Sequence, residues 1–138
     1  MTPLIVAVAP VQAGPDLDRV ADCIKAVENR RNHPLGRHGE RGAYQLTLAA
    51  WQEETDAPFA LAENEAFARG IVIARLRHIE GFLRARGIPI TCYRLGIAYN
   101  AGMTACILGR WINESVKSYG VRLENLYLDR VGLALSPP

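Results

Sequence analysis

The sequence predicts a mainly α-helical domain with at most a small β-hairpin or loop after its first helix. Apolar residues recur at helical spacing in successive stretches of the chain. Those stretches are bounded by Asn, Pro and Gly where helices start and stop. No alternating run long enough for a paired strand is left between them. Size agrees with one compact domain: 138 residues, 49% hydrophobic and 22% charged, bury roughly two-thirds of the unfolded surface without metals or disulfides. Sixteen Lys and Arg against fourteen Asp and Glu leave +2. Without a concentrated basic face, that excess does not indicate nucleic acid or an anionic membrane, and a neutral polymer or small molecule fits as well.

Residues 1–14, MTPLIVAVAPVQAG, are apolar and end in Val11-Gln12-Ala13, the small-residue pattern of a signal cleavage site. The run is interrupted by Pro3 and Pro10, has no Lys or Arg before it, and is far too short to span a bilayer. It is read as a weak export signal or a flexible or packed N-terminal strap, and the domain proper as residues 15–138.

Between Asp16 and Asn29 the residues Leu17, Val20, Ala21, Ile24 and Val27 define one helix face, with Pro15 and Asp16 as start signals. At 100° per residue Glu28 falls about 20° from Leu17, inside that apolar stripe and in the last turn. An apolar setting and the negative end of the helix dipole both favour the protonated carboxyl. The alternative is that the helix frays before Glu28 and the side chain turns out to water.

Residues 30–43 hold three Gly and one Pro without hydrophobic periodicity, and read as a basic loop or short hairpin. A second, shorter helix is expected over Tyr44–Trp51. Asn64–Arg86 is a long Pro-free helix, with Phe67, Ile71, Ala74, His78 and Phe82 on one face and Val72, Leu76, Ile79 and Leu83 widening it. His78 is read as a core histidine hydrogen-bonded through one nitrogen, since no other His or Cys stands at metal-ligand spacing. The arginines at 69, 75, 77, 84, 86 and 94 are read as solvated flanks. Gly87 and Pro89 end this helix. Two more helices follow, over Tyr93–Ala101 and Ser115–Leu128, separated by Gly102 and Gly109-Arg110-Trp111. Cys23, Cys92 and Cys106 show no C-x-x-C spacing. Three free, mostly buried thiols are expected, with one bridge plus a buried thiol as the alternative.

Three separated segments bear a family resemblance. Glu28-Asn29-Arg30-Arg31-Asn32 resembles the glutamate motif of soluble lytic transglycosylases and goose-type lysozymes, where a catalytic Glu ends a helix and Asn or Asp follows four residues on. Gly39-Glu40-Arg41-Gly42-Ala43-Tyr44-Gln45-Leu46-Thr47 is similar to their G-x-x-G-hydrophobic-hydrophobic-Gln-hydrophobic-Thr motif. Ile97-Ala98-Tyr99-Asn100-Ala101-Gly102 matches their A-Y-N-A-G motif nearly letter for letter. Asn64 sits where the family opens its long helix, and Ser118-Tyr119-Gly120-Val121-Arg122 is similar to its closing helix. The resemblance covers about residues 16–128. Asn29 stands where the family usually has Ser, Tyr44 where it usually has Met, and Leu48-Ala49-Ala50-Trp51 lacks the usual Thr, departures that bear on subsite preference.

The resemblance implies a lysozyme-like helical domain acting outside the cytoplasm, in periplasm or cell wall, on a peptidoglycan glycan strand, with no metal, cofactor, nucleic acid or membrane span. Glu28 would donate its proton to the β-1,4 glycosidic oxygen between MurNAc and GlcNAc. As a carboxylate it would then take the proton of the MurNAc 6-hydroxyl as that oxygen closes on C1, leaving a 1,6-anhydro end. The substrate's N-acetyl group stabilises the oxocarbenium-like centre, so one protein carboxylate suffices. Tyr99 would hydrogen-bond and orient Glu28, Gln45 and Asn100 would bind N-acetyl or hydroxyl groups, and Tyr44 and Asn32 would join the substrate-binding set. Without the motifs, Tyr99 reads as a core tyrosine and the two amides as caps or loop residues. Glu40, twelve residues after Glu28, opens a second possibility. As a second carboxylate it would permit hydrolysis, making the protein a muramidase, unless it is an exposed loop glutamate beside Arg41. A non-catalytic glycan-binding or assembly protein is the third.

Overall fold

The computed structural model describes residues 14–28, 35–108 and 112–135, with side chains at 107, 108 and 133–135 left aside. Six α-helices occur among them: α1 (Leu17–Glu28), α2 (Leu48–Glu54), α3 (Glu65–Ala85), α4 (Cys92–Ala101), α5 (Met103–Leu108) and α6 (Glu114–Leu135), with a 3₁₀ turn at Phe59–Glu63. The mainly α expectation holds. None of these helices is long and apolar enough to cross a membrane. The segment after the first helix, expected as a loop or at most a small hairpin, contains two isolated antiparallel bridges, Leu35 to Arg41 and Arg41 to Leu46, and no strand among the described residues.

Side-chain caps set most helix starts. Thr47 Oγ1 accepts the Ala50 N–H at 3.1 Å, Asn64 Oδ1 that of Phe67 at 3.0 Å, Thr91 Oγ1 that of Arg94 at 3.1 Å, and Asn113 Oδ1 that of Val116 at 2.9 Å. Each satisfies a donor the helix leaves unpaired. At the other end of α3 the Ile88 N–H reaches Leu83 O at 3.0 Å past Gly87, whose φ is +65°. This is the left-handed stop expected from Gly87 and Pro89.

Two spans differ from expectation. The second helix begins at Leu48 rather than Tyr44, because Gly42 and Gln45 take φ of +76° and +49°, which a right-handed helix cannot accommodate. The last helix runs on to Leu135, and α5 is an additional short helix after Gly102.

The core gathers around α3, whose Ala68, Val72, Leu76, Ile79 and Leu83 are buried together with Val20, Ala21 and Ile24 of α1, Trp51 of α2, Leu95 and Ala98 of α4, and Tyr119 and Leu123 of α6. The buried arc of α3 is centred on Val72 and takes in Leu76, Ile79 and Leu83, the residues read as widening the apolar face, about 120° round from the Phe67–Phe82 row. His78 therefore lies outside the core, its side chain 46% exposed. It is hydrogen-bonded through one nitrogen, as expected, with Nδ1 2.9 Å from Glu54 Oε1. Arg75 falls on the buried arc instead of a solvated flank and is held by ion pairs to Glu53 and Glu54. Such a pairing is what allows an arginine to be buried.

Cys23 and Cys92 are buried, Cys106 is partly so, and all three thiols are free. Burial pushes the Cys92 thiol up to about 12.

Helices α4 and α6 meet with almost nothing between them. A Cβ on Gly96 would stand 3.2 Å from the Gly120 Cα, and one on Gly120 would stand 2.8 Å from the Tyr93 ring. This close approach seats Tyr99 and Asn100 of α4 beside Ser115, Val116 and Tyr119 of α6. At the far side of α6, the Tyr127 hydroxyl accepts the Asp16 N–H at 2.9 Å, fixing where α1 starts.

Candidate active site

A groove of about 570 Å³ opens where three parts of the chain converge, within the roughly 300–1,000 Å³ range of small-ligand sites. Glu28, the last residue of α1, forms one part. Arg37, His38, Glu40, Gln45 and Thr47 come from the hairpin segment. Tyr99 and Asn100 of α4, with Asn113, Ser115 and Val116 at the start of α6, complete it. The residues singled out from the separated motifs at 28, 40, 45, 99 and 100 thus line one cavity. Asn32 lies outside the described residues.

Helix α1 keeps its geometry to Glu28, which is half-buried in the groove. The alternative of a frayed end turned out to water does not hold. Val20, Ala21, Cys23 and Ile24 anchor the preceding turns in the core, so the side chain of Glu28 is projected from a fixed backbone.

Tyr99 departs from its expected contact. Its hydroxyl donates to the backbone carbonyl of Tyr44 at 2.6 Å. A phenol has one proton, so with that proton committed its oxygen offers other neighbours only lone pairs. Burial first, and the nearby Glu28 charge second, hold this phenol well above its ordinary value.

Tyr44 does not reach the groove. Its ring is 1% exposed and its hydroxyl lies against the Arg69 guanidinium, which also pairs with Asp18 and Asp22. Its substrate-binding assignment is corrected accordingly: the ring fills the core, and only its carbonyl bears on the site, by fixing Tyr99.

Tyr119 reads along the sequence as one apolar member of the last helix. Its hydroxyl is buried, has no hydrogen bond of good geometry, and faces Glu28, which acts on it by charge and by a hydrogen-bonding contact. Burial, followed by the Glu28 charge, pushes this phenol well above its ordinary value. An unsatisfied buried hydroxyl typically costs about 1–3 kcal/mol, and this one is the proton donor pointing at the Glu28 carboxyl. The sequence signals are its place in the Ser118–Arg122 segment read as a closing helix and its position on the same side as Val116 and Leu123.

These phenols give the fold an alkaline limit. A phenol ionises near 10 in the unfolded chain but stays neutral when folded, so its contribution is complete below pH 10 and is lost as pH rises beyond it. The three thiols, all raised by burial above 9.0, act in the same direction from about pH 9. Urea midpoints between pH 8 and 11.5 are expected to fall across this window, and less steeply for Tyr119→Phe above pH 10. An unchanged slope in that variant contradicts the assignment.

Gln45 has the only positive φ of a non-glycine residue among the described residues, +49°. Both its backbone N–H and its Nε2 donate to Gly42 O, at 3.1 and 2.8 Å. Strain of this kind costs about 1 kcal/mol or more and persists where surroundings enforce it. Here the turn fixes the amide at the groove. Glu40 Oε2 accepts the His38 N–H at 3.1 Å. Gly36 leaves the room: a Cβ there would sit 2.0 Å from Glu40 Oε2 and 2.7 Å from Gln45 Oε1.

Away from the groove, Glu53, Glu54 and His78 bring ligand atoms within 4.8 Å of one another. Arg75 already contacts both carboxylates, so a cation occupies the place a metal would take. No family model, no curated protein and no solved structure matches the chain.

Proposed function

We propose that this groove cleaves the β-1,4 MurNAc–GlcNAc bond of peptidoglycan as a lytic transglycosylase, with Glu28 as its single acid and base. The observation that carries this reading is the convergence of Glu28, Gln45, Tyr99 and Asn100, far apart in sequence, on one cavity. Glu28 protonates the leaving glycosidic oxygen. The resulting carboxylate then removes the proton of the 6-hydroxyl as that oxygen bonds to C1. The proton count closes on one residue, and no water is consumed. The two phenols serve its two states: the Tyr99 oxygen accepts from the protonated carboxyl, and the Tyr119 hydroxyl donates to the carboxylate. The amides of Gln45 and Asn100 are suited to N-acetyl and hydroxyl groups. Such a substrate places the action outside the cytoplasm.

Glu40 on the same groove favours hydrolysis as the second reading. Digestion of purified peptidoglycan with mass analysis of the products separates the cases. Anhydro ends are expected; reducing ends mean a muramidase, and an absence of soluble muropeptides means a binding protein. Glu40→Gln is expected to keep turnover within about threefold, because its carboxylate is engaged by its own turn and performs no transfer in the single-carboxylate route. A loss as large as that at Glu28, measured by the same product assay, selects the hydrolase.

A further inference from the structure

We propose that Arg37 is a specificity residue that reads a carboxylate on the substrate. The groove would thereby prefer glycan strands carrying carboxylates over neutral chitin-type strands. This rests on the glycan-cleaving reading above and concerns which strand the same site selects.

Arg37 is the one guanidinium among the groove's described lining residues, and it is exposed. It makes no ion pair or hydrogen bond among the described residues. Other arginines are engaged: Arg69 with Asp18 and Asp22, Arg75 with Glu53 and Glu54, Arg84 with Glu80, and Arg41 over the Phe59 ring. Glu40, three residues along, would be the natural partner of Arg37, yet its carboxylate is turned to the His38 amide.

The charges facing the groove make this cation consequential. Among the described lining residues Glu28 and Glu40 contribute two carboxyl groups, against Arg37 and the imidazole of His38. An anionic strand is repelled by the Glu40 carboxylate, and by Glu28 once it has given up its proton, unless a cation at the lip offsets them. A guanidinium matches a carboxylate through two parallel N–H donors, which a neutral acetamido sugar cannot use in the same way. On a muramyl strand that carboxylate has two sources, the lactyl group itself or the peptide attached to it.

Wild type, Arg37→Gln and Arg37→Lys are to be compared on peptide-bearing strands, on amidase-stripped strands exposing the lactyl carboxylate, and on chitooligosaccharides. Arg37→Gln is expected to raise KM about tenfold on a carboxylate-bearing strand with kcat nearly unchanged, an effect scaled to a charged but solvent-accessible contact. Arg37→Lys should recover part of it, and chitooligosaccharides should be indifferent to either change. Whichever strand type shows the larger loss identifies the carboxylate. Equal effects on all three substrates, or none on any, overturn the proposal. Should wild type cleave none of them, the enzymatic reading fails, and calorimetric titration of the same strands into all three proteins decides this one. Binding of carboxylate strands no tighter than chitooligosaccharides, or none, overturns it.

Discussion

Glu28→Gln is expected to lower turnover of peptidoglycan by at least about a thousandfold, the upper part of what a general acid supplies, because one carboxyl performs both proton transfers. The substitution is nearly isosteric and removes only the exchangeable proton and charge. The amide nitrogen it introduces would have the Tyr99 oxygen to donate to, and the amide carbonyl would face the Tyr119 hydroxyl. The fold should therefore be retained, with the thermal midpoint within a few degrees of wild type, and the protein should still bind strands. Release of soluble muropeptides and calorimetric binding, measured on the same preparation, check this. Residual turnover above a few per cent would remove Glu28 from the chemistry.

The largest loss of stability is expected from Gly42→Ala. At φ +76° a Cβ would be only 2.0 Å from the carbonyl oxygen of Ala62 and 2.9 Å from its carbon, and both are backbone atoms with no rotamer to escape into. Strain in the left-handed region adds about 1 kcal/mol, and forced overpacking about 1–3 more. The thermal midpoint should fall by on the order of 10 °C for a domain of this size. Gly39→Ala is the matched control, since Gly39 has φ +81° and nothing within 4 Å of a Cβ. It should show the conformational part alone. Equal losses at both positions, in parallel thermal scans, would dispose of the steric contribution. Gly42→Ala should also lower activity, because Gly42 O holds the Gln45 amide in place.

The helical frame is legible because its signals are local. Asn64 and Thr91 cap helices with their own side chains, Gly87 stops α3, and periodicity puts Glu28 on the buried side of α1. The start of the second helix is not legible, because the apolar pattern of Tyr44 and Leu46 says nothing about φ, and the backbone there turns left-handed. On α3, hydrophobicity marks the Phe67–Phe82 row and its Val72–Leu83 extension alike and does not say which is deeper. The core takes the face with Arg75, whose charge is met by Glu53 and Glu54 from another helix, a pairing invisible along one segment. The site divides in the same way. Motifs point to Glu28, Gln45, Tyr99 and Asn100, which do share a groove. Tyr119 looks like any apolar helix residue, since only the tertiary arrangement strands its hydroxyl beside a carboxyl. Arg37 is one charge among several in a basic loop. The hydroxyl of Tyr99 goes to a main-chain carbonyl, which no side-chain motif encodes.

The glycine seam between α4 and α6 also bears on how the groove would receive a strand of the proposed kind. With backbones in near contact at Gly96 and Gly120, these two helices have no compressible layer of side chains through which to slide or splay. The wall bearing Tyr99, Asn100, Ser115 and Val116 behaves as a single stiff plate. The opposite lip, residues 35–47, is held within itself by two lone bridges and a few turn hydrogen bonds, and is pinned to the core at its far end by the buried Tyr44 and Leu46 and by the Tyr99 hydroxyl on the Tyr44 carbonyl. On the proposed reading, what remains to adjust to a strand is the exposed turn of residues 35–39, which carries Arg37.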